Sequence, residues 1–213
     1  VNDDPVAADD GFTIDVDQVL FGDLFADNGL GLDSDADAND GFSVFAVNGL
    51  TGGVGEPITL TSGAEVMVDA NGLFSYDPLG AFADLGASEQ ASDSFTYTII
   101  DFFGATDTAT VSIIVDGQND PPVAVDDVAV TDEDVALVGL TSIDVLGNDT
   151  DADGDPLNVG GVSAVNGAVV VNGDGSLNYM PNANFTGSDT ITYTVSDGAV
   201  ADTGIVSVTV NSV

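Results

Sequence analysis

The sequence predicts an all-β fold built as two tandem β-sandwich domains. Short runs that alternate between apolar and polar residues are separated by turns rich in Gly, Asn and Asp, and no long run has the period of an amphipathic helix. Sequence features also recur 117 residues apart, so that Asn2-Asp3 matches Asn119-Asp120. A period this long corresponds to one domain per repeat in an array. We therefore predict one domain in residues 1–117 and a second in residues 118–213.

The second half shows the strand pattern most clearly. Seven predicted strands lie near residues 123–131, 135–139, 157–165, 168–172, 176–180, 189–196 and 203–211. Seven short strands in a domain of about 100 residues are typical of a sandwich of two antiparallel sheets.

The aromatic strand of each half indicates which residues form the core. In residues 189–195 the alternation predicts that Ile191, Tyr193 and Val195 face inward, and residues 93–99 repeat the pattern. The four tyrosines of the chain are also candidate platforms for sugar stacking, but their place in alternating strands favours core packing. These tyrosines are Tyr76, Tyr97, Tyr179 and Tyr193.

The charge of the chain is its most unusual property. It has 37 acidic residues, only four of them Glu, and no Lys, Arg or His. No side-chain ion pair can form, so each carboxylate must be solvated, bound by N–H groups or bound to a cation. Because this repulsion destabilises a compact state, divalent metal is a natural remedy. An acidic surface adapted to high salt is the alternative interpretation, although that would spread Glu and Asp over all faces.

Composition also limits the partners and the chemistry. The negative charge disfavours nucleic acid and anionic membranes. There is no Cys for a disulfide framework, no apolar run long enough to insert into a membrane and no signal-peptide pattern at the N-terminus. Without His, Cys, Lys or Arg, most catalytic mechanisms lack their side chains, and we expect no enzyme.

The linker between the two halves is the first candidate metal site. Residues 116–120 carry Asp116, Asn119 and Asp120, and two prolines follow. Proline fixes its own φ and favours extended backbone before it, so this linker is predicted to be short and stiff. Oxygen ligands on a rigid segment suit Ca²⁺, while an acidic linker that binds nothing is the simpler alternative.

Alternating carboxylates form the second candidate site. They are Asp149, Asp151, Asp153 and Asp155 in the second half, and Asp33, Asp35, Asp37 and Asp40 in the first. Alternate residues of an extended segment share a face, so their oxygens can converge on one or two ions. An EF-hand is rejected because its twelfth position, which should be Glu, is Gly160. A bare solvated turn remains possible.

Two further groups are candidates to complete these sites. Glu133 ends the first strand of the second half, and its counterparts in the first half are Asp15 and Asp17. Asp197 ends the long aromatic strand, as Asp101 does in the first half. Each is equally well explained as an ordinary turn residue.

These motifs resemble those of known families. Residues 116–122 resemble the calcium-binding linker of cadherins, which carries Asp-x-Asn-Asp before a proline. Residues 93–97 and 104–109 resemble VCBS-type repeats of large bacterial surface proteins, including RTX-type adhesins. Residues 131–134 and 145–155 resemble bacterial cadherin-like repeats of the same proteins.

The resemblance implies a Greek-key cadherin/Ig-like sandwich, secretion to the bacterial surface and calcium at domain junctions. It implies that Asp116, Asn119 (through its carbonyl) and Asp120 ligate linker calcium, with Glu133, or Asp15 and Asp17, as the acid at the end of the first strand. Asp151 and Asp153 would stand for the alternating pair of the following domain. The Asp-Arg-Glu element of cadherins is absent because the chain has no Arg.

Three functions follow as hypotheses. The first is a calcium-binding extracellular module that stiffens a bacterial surface protein and supports adhesion, with neighbouring repeats and a polysaccharide or cell-surface ligand as partners. The second is a calcium-dependent carbohydrate-binding module. The adjacent Phe102 and Phe103 are the best candidates for the exposed aromatic residues that such a module needs. The third, a glycosidase with two carboxylates, rests on the abundance of acids alone.

Overall fold

The computed structural model describes residues 2–37 and 41–213, apart from the side chain of Leu140. The chain divides into two compact units, Val1–Gln118 and Asn119–Val213. Both consist of β-strands joined by turns and short 3₁₀ segments. The prediction of an all-β chain with two tandem sandwich domains is confirmed.

The first unit contains two four-stranded sheets. Their strands are β1 (Asp10–Asp15), β2 (Leu20–Asp23), β3 (Ser43–Val47), β4 (Ile58–Thr59), β5 (Glu65–Val68), β6 (Leu73–Asp77), β7 (Gln90–Ile100) and β8 (Thr106–Asp116). One sheet has the order β1-β8-β7-β3 and the other β2-β6-β5-β4. The β1–β8 pair is parallel, whereas the other pairs are antiparallel.

The second unit repeats the larger sheet of the first and has a smaller second sheet. Its strands are β9 (Asp127–Asp132), β10 (Asn158–Ala164), β11 (Gly167–Val171), β12 (Leu177–Pro181), β13 (Gly187–Ser196) and β14 (Ala201–Asn211). The larger sheet has the order β10-β13-β14-β9, in which β9 again pairs parallel to the last strand. Strands β11 and β12 form the second sheet. In both units the first strand therefore lies at the open edge of the larger sheet.

The core of each unit lies between its sheets. Ile191, Tyr193 and Val195 are all fully buried, as their alternation predicted. The four tyrosines are also fully buried, which confirms that they pack in the core. Each tyrosine hydroxyl still finds a hydrogen-bond partner, for example Tyr179 Oη, which donates to Asp189 Oδ2 at 2.7 Å.

One predicted strand is wrong. Residues 135–139 form only an isolated bridge between Leu137 and Tyr179, followed by a 3₁₀ turn at Gly139–Thr141. Asp134 and Gly139 have φ of 60° and 61°, and these left-handed residues interrupt extended backbone on both sides. In the first unit the equivalent segment is the regular strand β2, which pairs Leu20 with Tyr76.

Candidate metal centre

Three segments of the second unit converge at the end where its chain begins. The amide of Asn119 donates a hydrogen bond to Asp197 Oδ2 at 2.8 Å, and the backbone N–H of Asp120 donates to Asp153 Oδ2 at 2.8 Å. Asp153 lies in the acidic loop before β10, and Asp197 lies in the turn between β13 and β14. The first residues of the unit are thus tied to both acidic elements.

The acidic loop holds three carboxylates close together. One carboxylate oxygen each from Asp151, Asp153 and Asp155 lies within 4.8 Å of the others. The loop folds this way because Asp151 Oδ1 accepts hydrogen bonds from the backbone N–H groups of Asp153, at 3.0 Å, and Asp155, at 3.2 Å. This local bonding is typical of Asp in turns, and it holds the carboxylates of the loop close together.

The remaining oxygens fit a cation. Asp151 Oδ2 and Asp153 Oδ1 are buried and have no hydrogen-bond partner among residues 2–37 and 41–213. A buried carboxylate oxygen normally accepts a hydrogen bond or binds a metal. Ca²⁺ takes six to eight oxygen ligands at about 2.3–2.6 Å, so oxygens of this type and spacing suit it. The donor set contains no nitrogen or sulfur, which disfavours zinc.

Asp149 has a different environment from the triad. Its Oδ1 accepts a hydrogen bond from the backbone N–H of Val125 at 2.7 Å, and the hydroxyl of Tyr193 lies 3.4 Å from the same oxygen. Burial raises the pKa of Asp149, while the Val125 hydrogen bond opposes that shift. Asp149 Oδ2 is buried without a partner among the described residues. Asp149 therefore anchors the N-terminal segment and keeps one oxygen available.

The first unit contains the same hydrogen bonds. The amide of Asn2 donates to Asp101 Oδ2 at 2.7 Å, and the backbone N–H of Asp3 donates to Asp37 Oδ2 at 2.8 Å. The N–H of Asp37 in turn donates to Asp35 Oδ1 at 2.8 Å. Asn2 Oδ1 and Asp35 Oδ2 are buried and lack a hydrogen-bond partner within the described part of the chain. Asp40, which was also predicted as a ligand, lies outside the described residues.

Asp33 is the counterpart of Asp149. It is buried, and its Oδ1 accepts a hydrogen bond from the backbone N–H of Ala8 at 2.6 Å. The hydroxyl of Tyr97 lies 2.9–3.0 Å from both of its oxygens. Burial raises the pKa of Asp33. Asp33 therefore fixes the N-terminal segment of the first unit against the aromatic strand β7.

Asp101 and Asp197 organise the turns that complete the two clusters. Asp101 Oδ1 accepts three backbone hydrogen bonds, from Phe103, Gly104 and Ala105, at 2.6–2.9 Å. The side-chain hydrogen bond from Asn2 is the main cause that lowers the pKa of Asp101, and that from Asn119 does the same for Asp197. Both carboxylates are therefore held ionised at neutral pH beside the acidic loops.

The other predicted ligands lie at the opposite ends of the larger sheets. Asp15 pairs with Asp116, and Asp17 follows two residues later. Glu133 Oε1 accepts a hydrogen bond from the N–H of Val213 at 3.0 Å, beside the end of β14. Asp197 precedes the start of β14, and a strand of 11 residues spans roughly 35 Å, so Glu133 does not join its cluster. The predicted linker ligands are divided between the two units, since Asp116 belongs to the first and Asn119 to the second.

Three residues of these clusters were not predicted as site residues. Asn2 and Asp3 repeat the hydrogen bonds of Asn119 and Asp120, and their match at the 117-residue offset was the signal that identifies them. Asp10 is 1% exposed and accepts a hydrogen bond from the amide of Asn28 at 2.6 Å. Its Oδ2 is buried and has no hydrogen-bond partner among the described residues. Burial is the main cause that raises its pKa to about 6.

Several solved structures are similar to this chain. The chain is similar to EC1-2 of human protocadherin-24, with a TM-score of 0.53 and 13% identity over 97% of this chain and 98% of that one. It also matches extracellular cadherin domains 1–5 of protocadherin gamma B2, with a TM-score of 0.42 and 14% identity over 98% of this chain and 40% of that one. An endo-fucoidan hydrolase of glycoside hydrolase family 107 matches with a TM-score of 0.34 and 15% identity over 98% of this chain, which spans only 29% of that enzyme.

The family assignment follows from sequence models of domains. No curated protein matches the chain. A model of the bacterial cadherin-like domain matches residues 2–117, more than half of the chain, and a model of the bacterial Ig domain matches residues 119–210. Among the described residues, no helix is long and apolar enough to cross a membrane. The chain therefore belongs to the bacterial cadherin-like domain family, and it carries a bacterial Ig domain in tandem.

Proposed function

We propose that this chain is a calcium-binding extracellular module that stiffens a bacterial surface or secreted protein and supports adhesion. The observation that carries the proposal is the set of buried, unpartnered oxygens in Asp151 and Asp153, with a matching oxygen in Asp35 of the first unit. Cadherin-like and Ig domains in tandem are typical of extracellular adhesion proteins, and cadherin-like domains typically bind calcium, which supports the same interpretation.

The mechanism is conformational. An ion bound by the acidic loop cancels the repulsion among its carboxylates and holds Asp153 in place, and Asp153 in turn accepts a hydrogen bond from the N–H of Asp120. Calcium therefore orders the first residues of the second unit. An ion that binds only the folded state stabilises it by an amount that grows with the logarithm of the free ion concentration once this exceeds the dissociation constant.

The experiment is thermal unfolding of the 213-residue chain in chelator and in rising calcium at constant ionic strength. With a dissociation constant of about 0.1–1 mM, 10 mM calcium adds roughly 1.4–2.7 kcal/mol per site. This corresponds to an increase in Tm on the order of 10 °C for a domain of this size. Asp153→Asn should remove most of the increase in the second unit, because it weakens a ligand and a hydrogen bond together.

Asp144→Asn is the matched control, since Asp144 is an exposed acid of the same unit. It should leave the calcium-dependent increase intact. Equal increases of Tm with calcium and with magnesium in every variant would contradict a specific site.

A carbohydrate-binding module is the second candidate function. Phe102 and Phe103 are 84% and 70% exposed and stand on the turn that Asp101 fixes by three hydrogen bonds. Rigid exposed aromatics can stack on sugar rings, and the calcium cluster of Asn2 and Asp35 would share this turn. Calcium-dependent retention on an insoluble polysaccharide, lost in a Phe102→Ala/Phe103→Ala variant, is the expected result. Retention that is the same without calcium and in the double variant would exclude this role.

A further inference from the structure

The open edge of the larger sheet differs between the two units. In the second unit, Val128 and Val130 of the edge strand β9 are 82% and 61% exposed. The equivalent residues of β1 in the first unit are Gly11 and Thr13. Exposed apolar residues on an unpaired edge favour the addition of another strand, and proteins usually protect such edges with Lys, Pro or a bulge.

The backbone of β9 is oriented for such pairing. The N–H of Glu133 bonds to the carbonyl of Asn211, which sets the alternation of hydrogen bonds between β9 and β14. By that alternation, the N–H and C=O groups of Val128 and Val130 point away from β14 toward the open edge. An incoming extended segment therefore meets two donors and two acceptors on this edge.

A groove lies beside the same edge. It has a volume of about 390 Å³ and is lined by residues 127–130 of β9 on one side and by Leu137 and residues 141–144 on the other. It runs where the second sheet lacks a regular strand, because a 3₁₀ turn interrupts residues 137–143.

The first unit fills the corresponding space with its own side chain. Phe12 of β1 packs edge to face on Phe74, with ring centroids 5.0 Å apart, and its ring lies against Gly22 of β2. The residue equivalent to Phe12 in β9 is Ala129. The second unit thus has a methyl group where the first has a phenyl ring, and its groove is wide enough to admit an apolar side chain from outside.

We propose that β9 and this groove bind an extended segment of another protein as an added strand. The segment carries a large apolar side chain that enters the groove, and Lys or Arg on either side of it. The charges follow from complementarity: Asp126 and Asp127 lie at one end of β9, Asp132 to Asp134 lie at the other, and Asp144 borders the groove. A second copy of this chain is a poor partner because its net charge is −37 and it has no cationic side chain.

The test measures binding of the synthetic peptide KVTFTVR to the full 213-residue chain by isothermal titration calorimetry at fixed ionic strength. The matched peptide KVTPTVR keeps the charges but cannot donate from its central residue or fill the groove. We expect the first peptide to bind at least about tenfold more tightly than the second. Val130→Pro, which removes an edge N–H, and Ala129→Phe, which fills the groove, should each remove this difference.

Thr13→Pro is the matched control at the equivalent edge position of the first unit, and it should leave the difference unchanged. Because proline can also weaken a sheet, the double variant Val128→Thr/Val130→Thr provides a milder change that should reduce binding in the same direction. Equal binding of the two peptides, or an equal loss in Thr13→Pro, overturns the proposal. Dimerisation of the chain in sedimentation experiments that Val130→Pro abolishes and Thr13→Pro preserves would assign the edge to a second copy and overturn the proposed partner.

Discussion

At the scale of single residues, unpartnered oxygens are more informative than the number of acids. The chain has 37 acidic residues, and most of those described accept hydrogen bonds from backbone or side-chain donors. A buried polar group without a partner costs about 1–3 kcal/mol, so its recurrence at one place in two domains calls for a ligand. Asp35 and Asp151 show this recurrence. In each, Oδ1 accepts a hydrogen bond from a neighbouring backbone N–H, while Oδ2 is buried and has no partner among the described residues.

Asp10 gives a prediction about pH. Burial, reinforced by the nearby Asp33 carboxylate, raises the pKa of Asp10 from 3.8 to about 6, although the amide of Asn28 opposes the shift. The folded state therefore binds this proton more tightly than the unfolded chain, and folding stability falls as pH rises from about 4 to 6. We expect Asp10→Asn, which is neutral at every pH, to increase the free energy of unfolding by about 1–3 kcal/mol at pH 7 and by less than about 0.5 kcal/mol at pH 4.

Urea unfolding in chelator at the two pH values measures this difference. Asp84→Asn is the control for the loss of one negative charge, because Asp84 is exposed in the same unit. A lower stability of Asp10→Asn at pH 7 would show instead that the hydrogen bonds to the ionised carboxylate outweigh the cost of its burial.

The site residues that the sequence identified share a visible pattern, whereas Asp10, which it missed, shows none. Asp151, Asp153 and Asp155 alternate in one short loop, so their proximity follows from local geometry. Asp10 and Asp33 approach Tyr97 from distant parts of the chain, and only the fold brings them together. Local spacing predicts a metal loop, but it cannot predict which acids become buried.

At the scale of elements, alternation predicts strands well and their interruptions poorly. The inward positions of β13 are those expected from its alternating sequence, because burial of one face fixes the register. Residues 135–139 have equally strong strand propensity, but two left-handed residues flank them and the segment turns. The parallel pairing of β1 with β8 also escapes local patterns, since it depends on a contact about 100 residues away.

The comparison of β1 with β9 gives a prediction about packing. Phe12 closes the edge of the first sandwich by its contact with Phe74. Phe12→Ala should therefore reduce the free energy of unfolding of the first unit by about 2–4 kcal/mol, because it removes buried apolar surface and leaves a cavity. Phe21→Ala is the control, since Phe21 is 77% exposed and its removal should change stability by about 0.5 kcal/mol or less. Circular dichroism during urea unfolding follows both variants, and equal effects would show that Phe12 does not close the edge.

At the scale of the whole molecule, charge determines how the fold depends on its medium. A net charge of −37 without any cationic side chain makes self-repulsion the largest electrostatic contribution to the folded state. Monovalent salt reduces this repulsion by screening, whereas a bound divalent ion removes it at particular sites. The two effects separate because screening acts on all carboxylates and site binding acts only on those that converge.

The dependence of Tm on salt in chelator, in calcium and in magnesium is therefore the prediction at this scale. In chelator, Tm should rise as sodium chloride increases from about 10 mM to 1 M, since the screening length falls from about 30 to 3 Å. In 10 mM calcium the same increase in salt should raise Tm much less, because the converging carboxylates are already neutralised and salt weakens ion binding. Magnesium at the same concentration should leave the slope close to that in chelator, because it dehydrates reluctantly and demands stricter geometry. Parallel slopes in all three media would mean that the acids form a surface adapted to salt and that their convergence in the acidic loops binds no specific ion.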